Sequence, residues 1–134
     1  MRLEEWRLVV DGDFERTLEN VNDAFRTGGF ALTPVESGDY PNAARPGEPH
    51  RYALLYATLP ELRFQTDRAA DASASMLGCR LSIYELTPSR TLVTVDIRLM
   101  PYPTLALLIP RVRTRIDDAL AHLPGTSSSV IRAA

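Results

Sequence analysis

The single cysteine of the chain, Cys79, is followed directly by Arg80, and nucleophilic or redox chemistry would have to start from that pair. A cation beside a thiol favours the thiolate, the form that attacks electrophiles. Alternation along Cys79-Arg80-Leu81-Ser82-Ile83 instead groups the sulfur with Leu81 and Ile83, where a free cysteine behaves as a small apolar residue. Both readings stand at this level. A nucleophile also needs a base, and the only histidines are His50 and His122; no spacing brings either to Cys79.

A second set of residues suits binding rather than reaction. Tyr40, His50, Tyr52, Tyr56, Arg80 and Tyr84 offer aromatic faces, phenolic hydroxyls and one guanidinium. Such tyrosines line a ligand crevice, form a dimer seam, or cover a half-exposed sheet. Other constellations are weaker. Gly28-Gly29 follows a helical pattern instead of opening one, so it is not a phosphate loop. No histidine or cysteine cluster has metal-ligand spacing, and Asp117 and Asp118 fall on different sides of a helix. No metal is expected and no cofactor is assigned. Arg111, Arg113 and Arg115 spread round the last helix as a solvated surface, with an anion site at that helix start as the alternative.

Composition removes whole classes of chemistry. All 15 basic residues are arginine and lysine is absent. No Schiff base, no pyridoxal-phosphate linkage and no P-loop lysine is available. The net charge of −2 gives no general pull towards nucleic acid or an anionic membrane. At 134 residues the chain is the size of one domain. The opening MRLEEW puts two glutamates where an apolar signal core would begin. Residues 99–110 form the longest near-apolar run, but it holds three prolines and is too short to span a bilayer. A lone cysteine fits a reducing compartment, so a cytoplasmic location is expected.

These residues need elements to position them. Residues 5–10 read as a strand, and Asp11-Gly12-Asp13 supplies a turn and a helix cap. Phe14, Leu18, Val21 and Phe25 share one face of the helix that follows, which Gly28-Gly29 ends. Residues 30–35 are a second strand whose Pro34 suits an edge or a bulge. Residues 37–50, with three prolines and two glycines, read as a long loop. A third strand covers 51–59, a helix opened by Pro60 runs to about residue 72, and further strands cover 79–86 and 91–99. The last helix starts near Pro110, with Val112, Ile116, Ala119, Leu120 and Leu123 as its apolar stripe. Residues 1–123 thus form one domain and 124–134 a flexible C-terminal tail.

The hairpin of the last two long strands can be read in register. Cys79, Leu81 and Ile83 match Val93, Val95 and Ile97 on one face, which leaves Arg80, Ser82 and Tyr84 with Thr94, Asp96 and Arg98 on the other. Arg80 then lies opposite Asp96, a favourable cross-strand pair. The sheet has a helix-covered apolar face and a second face of tyrosine, arginine and threonine.

The segment YALLYATLPELRFQTDRAADASASMLGCRLSIYE, residues 52–85, resembles the family called domain of unknown function 302. Its pattern is a strand, a proline-started helix and a cysteine at the start of the next strand. Tyr52, Pro60, Cys79, Tyr84 and the last helix carry the likeness over most of residues 5–123, with Gly78 standing where the family has proline. The resemblance implies a TATA-box-binding-protein-like α+β fold, in which helices lie across one curved sheet. The expected order is β-α-β-β-α-β-β-α, one antiparallel-rich sheet with its helices packed on one face.

Three functions fit. The first is a small homodimeric binding domain that takes an apolar or aromatic molecule in a crevice lined by Tyr40, His50, Tyr52, Tyr56, Arg80 and Tyr84, with residues 100–109 as the dimer contact. The second is a thiol-dependent redox sensor or enzyme using Cys79. The third is nucleic-acid binding on the open sheet face, which the net charge opposes.

Overall fold

The computed structural model describes residues 2–40, 50–60, 78–98, 108–126 and 131–133. Its elements, in chain order, are β1 (Arg2–Asp11), α1 (Phe14–Thr27), β2 (Ala31–Tyr40), β3 (His50–Thr58), β4 (Gly78–Thr87), β5 (Arg90–Arg98), α2 (Ile109–Ala121) and β6 (Ile131–Ala133). The strands form one sheet in the order β2-β3-β4-β5-β1-β6, and every pair is antiparallel. This is the α+β class expected. The helix expected over 60–72 lies outside the described residues.

Alternation in the strands builds the core. Trp6, Leu8 and Val10 from β1, Ala53, Leu55 and Ala57 from β3, Cys79, Leu81 and Ile83 from β4, and Val93, Val95 and Ile97 from β5 are all buried. Directly opposed residues of antiparallel strands share a face, so the pairs Ala53–Ile83, Leu81–Val95 and Trp6–Val95 stack these side chains into one apolar surface. Both helices close over it. Asp13 caps α1 by accepting a 2.7 Å bond from the Arg16 amide, and Phe14, Val21 and Phe25 turn inward. Pro110 sits in the first turn of α2, which buries Val112, Ile116, Ala119 and Leu120.

Two polar contacts lock α2 to β1. Trp6 Nε1 donates to Asp117 Oδ1 at 2.8 Å, and Arg113 pairs with the nearly buried Glu4. Glu4 and Trp6 are two apart on a strand, and Arg113 and Asp117 four apart on a helix, so each pair lies on one face of its element. The hydrogen bond to Glu4 raises the Arg113 guanidinium's pKa.

Three departures from the sequence reading have local causes. The second strand does not stop at Val35. A bulge between Pro34 and Glu36 inserts one extra residue, and the strand then runs to Tyr40, so Ser37–Tyr40 belong to β2 and not to a loop. Residues 41–49 of that expected loop lie outside the described residues. The second departure is in the β4–β5 hairpin, which turns at Pro88-Ser89 with a register shift between Glu85 and Thr87; beyond the shift, Arg80 faces Asp96 as read from the pattern. The third concerns the expected tail. Asp11 N donates to Gly125 O at 2.8 Å, Val10 bridges Thr126, and β6 pairs with Glu5–Arg7. Gly125 makes this possible at φ 81°, where a Cβ would sit 2.8 Å from Asp11 O.

Candidate functional site

The face turned away from the helices is best read as a grid, because cross-strand partners lie about 4.8 Å apart and same-face neighbours about 7 Å apart along a strand. One row runs Glu5, Asp96, Arg80, Tyr56, Thr33 from β1 to β2. The next is Arg7, Thr94, Ser82, Leu54, Glu36. The third is Val9, Leu92, Tyr84, Tyr52, Gly38. Beyond it, Tyr40 opposes His50.

The bulge in β2 decides the last of these. Before it, Thr33 shares the face of Tyr56; after it, Glu36, Gly38 and Tyr40 share the face of Leu54, Tyr52 and His50. Without the extra residue the parity would reverse, and Tyr40 would point to the helix side. With it, the Tyr40 ring centroid lies 5.6 Å from His50, 6.4 Å from Tyr52 and 5.8 Å from Tyr84, each edge-on. Edge-to-face packing at these distances is attractive.

This aromatic cluster is pinned by hydrogen bonds. Tyr40 Oη donates to the Glu85 carbonyl at 2.6 Å, and His50 Nδ1 lies 2.7 Å from the same oxygen. Tyr52 Oη donates to Glu36 Oε1 at 2.7 Å. The phenols are held protonated: Tyr52 is shifted up by its bond to Glu36, Tyr40 by desolvation and then by Glu85, and Tyr56 by burial. All three keep their hydroxyl protons at neutral pH, and Tyr40 and Tyr52 donate them in the bonds above.

The charged row has a different character. Arg80 Nη2 lies 3.1 Å from Asp96 Oδ2, and Arg7 Nε 3.2 Å from Glu5 Oε1. Glu5 and Asp96 are cross-strand neighbours, so the order along the face is cation, two carboxylates, cation. The carboxylates are tucked in, at 13% and 6% side-chain exposure, while Arg7 and Arg80 are 61% and 42% exposed. Ser82 and Thr94 are buried as well.

The six proposed binding residues therefore share one face but fall into two groups. Tyr40, His50, Tyr52 and Tyr84 form the aromatic cluster. Tyr56 and Arg80 stand one row beyond the Ser82 row, beside Asp96. Glu36, Glu5 and Arg7 were not singled out from sequence. Glu5 and Arg7 were signalled by their alternation with Trp6 and Leu8; Glu36 became legible only once the bulge was known.

Cys79 is on the other face. It is 1% exposed, paired across from Ala57, and burial followed by the nearby Asp96 charge pushes its thiol pKa strongly upward. The thiol is therefore protonated at neutral pH and behaves as a core side chain. Gly78 before it faces Thr58, and a Cβ there would meet the Ala57 carbonyl oxygen at 2.0 Å. Only glycine allows β4 to approach β3 so closely at this point.

A separate cleft of about 440 Å³ opens at the bulge between α1 and the sheet edge, lined among others by Leu18, Asn22, Pro34, Val35 and Leu55. Val35 is 63% exposed beside it. Among the described residues no group of three or more His, Cys, Asp or Glu could hold a metal, and no helix is long and apolar enough to cross a membrane.

No protein-family model matches the sequence, and no curated protein matches it significantly. Among solved structures, the chain is similar to the crystal structure of an uncharacterized conserved protein DUF302 from Bacillus stearothermophilus. The identity is 14% and the TM-score 0.49, over 91% of this chain and 97% of that one.

Proposed function

We propose that the protein is a small ligand-binding domain whose binding surface is the helix-free face of the sheet. The observation that carries this reading is the convergence of Tyr40, Tyr52 and Tyr84, ring centroids 5.8 to 6.4 Å from Tyr40, on the same face as Arg80 and Tyr56. A sheet face whose only task is to meet water needs neither clustered aromatics nor tucked-in carboxylates. Apolar ring surface beside a few fixed polar groups is the usual make-up of a small-molecule site.

The reading includes a homodimer and a cytoplasmic setting. The first is supported by the apolar, proline-rich sequence of residues 100–109, costly to leave in water; the second by the unpaired thiol. A Cys79-dependent reaction is disfavoured by that residue's burial. Nucleic-acid binding is disfavoured because Glu5 and Asp96 neutralise Arg7 and Arg80 on that face.

Native mass spectrometry of the purified protein tests the reading directly. The expected result is extra mass that departs on denaturation, carried by a species of twice the chain mass. A clean apo monomer that also fails to bind any of a small aromatic library would overturn it.

A further inference from the structure

A cleft of about 320 Å³ opens where β1 ends, distinct from the tyrosine cluster. Three segments wall it: Val10 to Gly12, the first turns of α1, and Pro124-Gly125. Val10 is buried with Trp6 and Leu8, which puts the cleft on the helix side of the sheet. The third wall is held in place by the 2.8 Å bond from the Asp11 amide to the Gly125 carbonyl.

The polar side chains of α1 that line the cleft have no other work. Thr17 is 2% exposed, and its Oγ1 has no hydrogen-bond partner among the described residues. A valine of the same shape would avoid the cost of that unpaired hydroxyl. Arg16 and Asn20 also line the cleft; four apart on α1, they stand one above the other on the helix. Neither side chain makes a hydrogen bond or ion pair among the described residues. At Arg16 only the backbone amide is engaged, by Asp13. A guanidinium, a primary amide and a hydroxyl thus border one space with their donors unspent.

Charge and size narrow what these donors hold. A guanidinium fork matches a planar carboxylate with two parallel bonds. Asp11, which also borders the cleft, is matched by Arg90 Nε at 3.4 Å, so Arg16 is the one cation left to balance. That suits a single negative charge, whereas a phosphate dianion would bring a second, unmatched charge towards Asp11. Val10 and Pro124 offer apolar wall for a short hydrocarbon chain, and the volume is at the small end for a ligand site.

We infer that this cleft binds a small monocarboxylate. Arg16 and the Asn20 amide hold the carboxylate, the Thr17 hydroxyl donates to it from the floor, and the chain of the acid lies against Val10 and Pro124.

Three probes test this when titrated into the ¹⁵N-labelled full chain: butyrate, its neutral isostere butyramide, and inorganic phosphate. The Arg16 Nε–H, the Asn20 side-chain amide and the Gly12 and Gly125 backbone amides are followed by NMR. Butyrate is expected to shift all four and to bind at least about tenfold more tightly than either other probe. Arg16→Gln should weaken butyrate at least about tenfold, while Arg26→Gln, the same charge change in the last turn of α1, should alter it less than about twofold. Thr17→Val should weaken butyrate about three- to tenfold and leave the denaturation midpoint unchanged or raised. A hydroxyl with a structural partner would instead lower the midpoint. Butyramide or phosphate binding as tightly as butyrate would overturn the inference. So would an Arg16→Gln protein that binds butyrate normally, a Thr17→Val protein with a lowered midpoint and unchanged affinity, or no shift at these four groups. Shifts confined to the tyrosine face would overturn the cleft and leave the open-face reading standing.

Discussion

The two faces of this sheet are made by the same strands and separated by one residue of phase, yet they solve different problems. The helix-covered face holds Trp6, Leu81, Ile83, Val93, Val95 and Ile97, all below 2% exposure, and its polar links are few and specific. The other face holds an aromatic cluster, two ion pairs and two buried hydroxyls. On the first face each side chain is interchangeable in kind, provided it is apolar and fits. On the second, identity matters, because hydroxyls, carboxylates and guanidinia act through direction as well as size.

That contrast breaks down or sharpens under substitution. Trp6→Ala should show the largest loss, about 3–5 kcal/mol by chemical denaturation, since it leaves a large cavity and removes the indole N–H that Asp117 accepts from. A loss comparable to that of an open-face substitution would abolish the distinction. Gly78→Ala belongs with it, because the added carbon cannot share space with the Ala57 carbonyl.

Cys79 tests the seal of the core face. Its alkylation by iodoacetamide at neutral pH should be at least about a hundredfold slower than in the denatured chain, because reaction waits for local opening. Equal rates would return Cys79 to consideration as a nucleophile. Glu4→Gln removes a nearly buried charge that holds α2 to β1 and should cost about 1–3 kcal/mol. A change below about 0.5 kcal/mol, typical of surface substitutions, would mean that packing alone docks the helix.

Tyr52→Phe, on the open face, removes only an exposed hydrogen bond to Glu36 and should leave the denaturation midpoint nearly unchanged. If it costs as much as Trp6→Ala, the open face carries structural weight. The smallest effect is alkaline. The phenols of Tyr40, Tyr52 and Tyr56 have pKa values raised in the folded state, so the native protein holds its protons more tightly than the unfolded chain. The stability this contributes is complete below the unfolded phenol pKa of about 10 and is lost as pH rises through the folded values. Absorbance titration near 295 nm should show these tyrosines ionising later than in the denatured protein; coincident curves would mean the cluster is open to water.

Much of this contrast was legible in the chain. Alternation over β4 and β5 separated the faces, and the opposite charges of Arg80 and Asp96 picked the register, because a slip of two residues would have opposed two arginines. Asp13 as a cap, Gly28-Gly29 as a stop and Pro34 at an edge bulge also follow from local chemistry. Other features had no local signal. Tyr40 reaches the cluster only because Val35 is the extra residue of a bulge, which moves everything after it to the opposite face. The bond from Trp6 to Asp117 joins residues 111 apart, and nothing in either neighbourhood names the other. The strand at Ile131–Ala133 follows a serine run whose composition argues for a tail; what recruits it is the unpaired edge of β1.

The sequence by itself determined the α+β class, the inward sides of β4 and β5, the β4–β5 register and the absence of lysine chemistry, since periodicity, turn residues and composition act over a few residues. Only the tertiary structure decided that Tyr40 and His50 converge on the Glu85 carbonyl with Tyr52 and Tyr84 packed against the Tyr40 ring, and that Cys79 is sealed away. Those outcomes depend on how strands distant in sequence are laid side by side, and a one-residue change of register would have undone each of them.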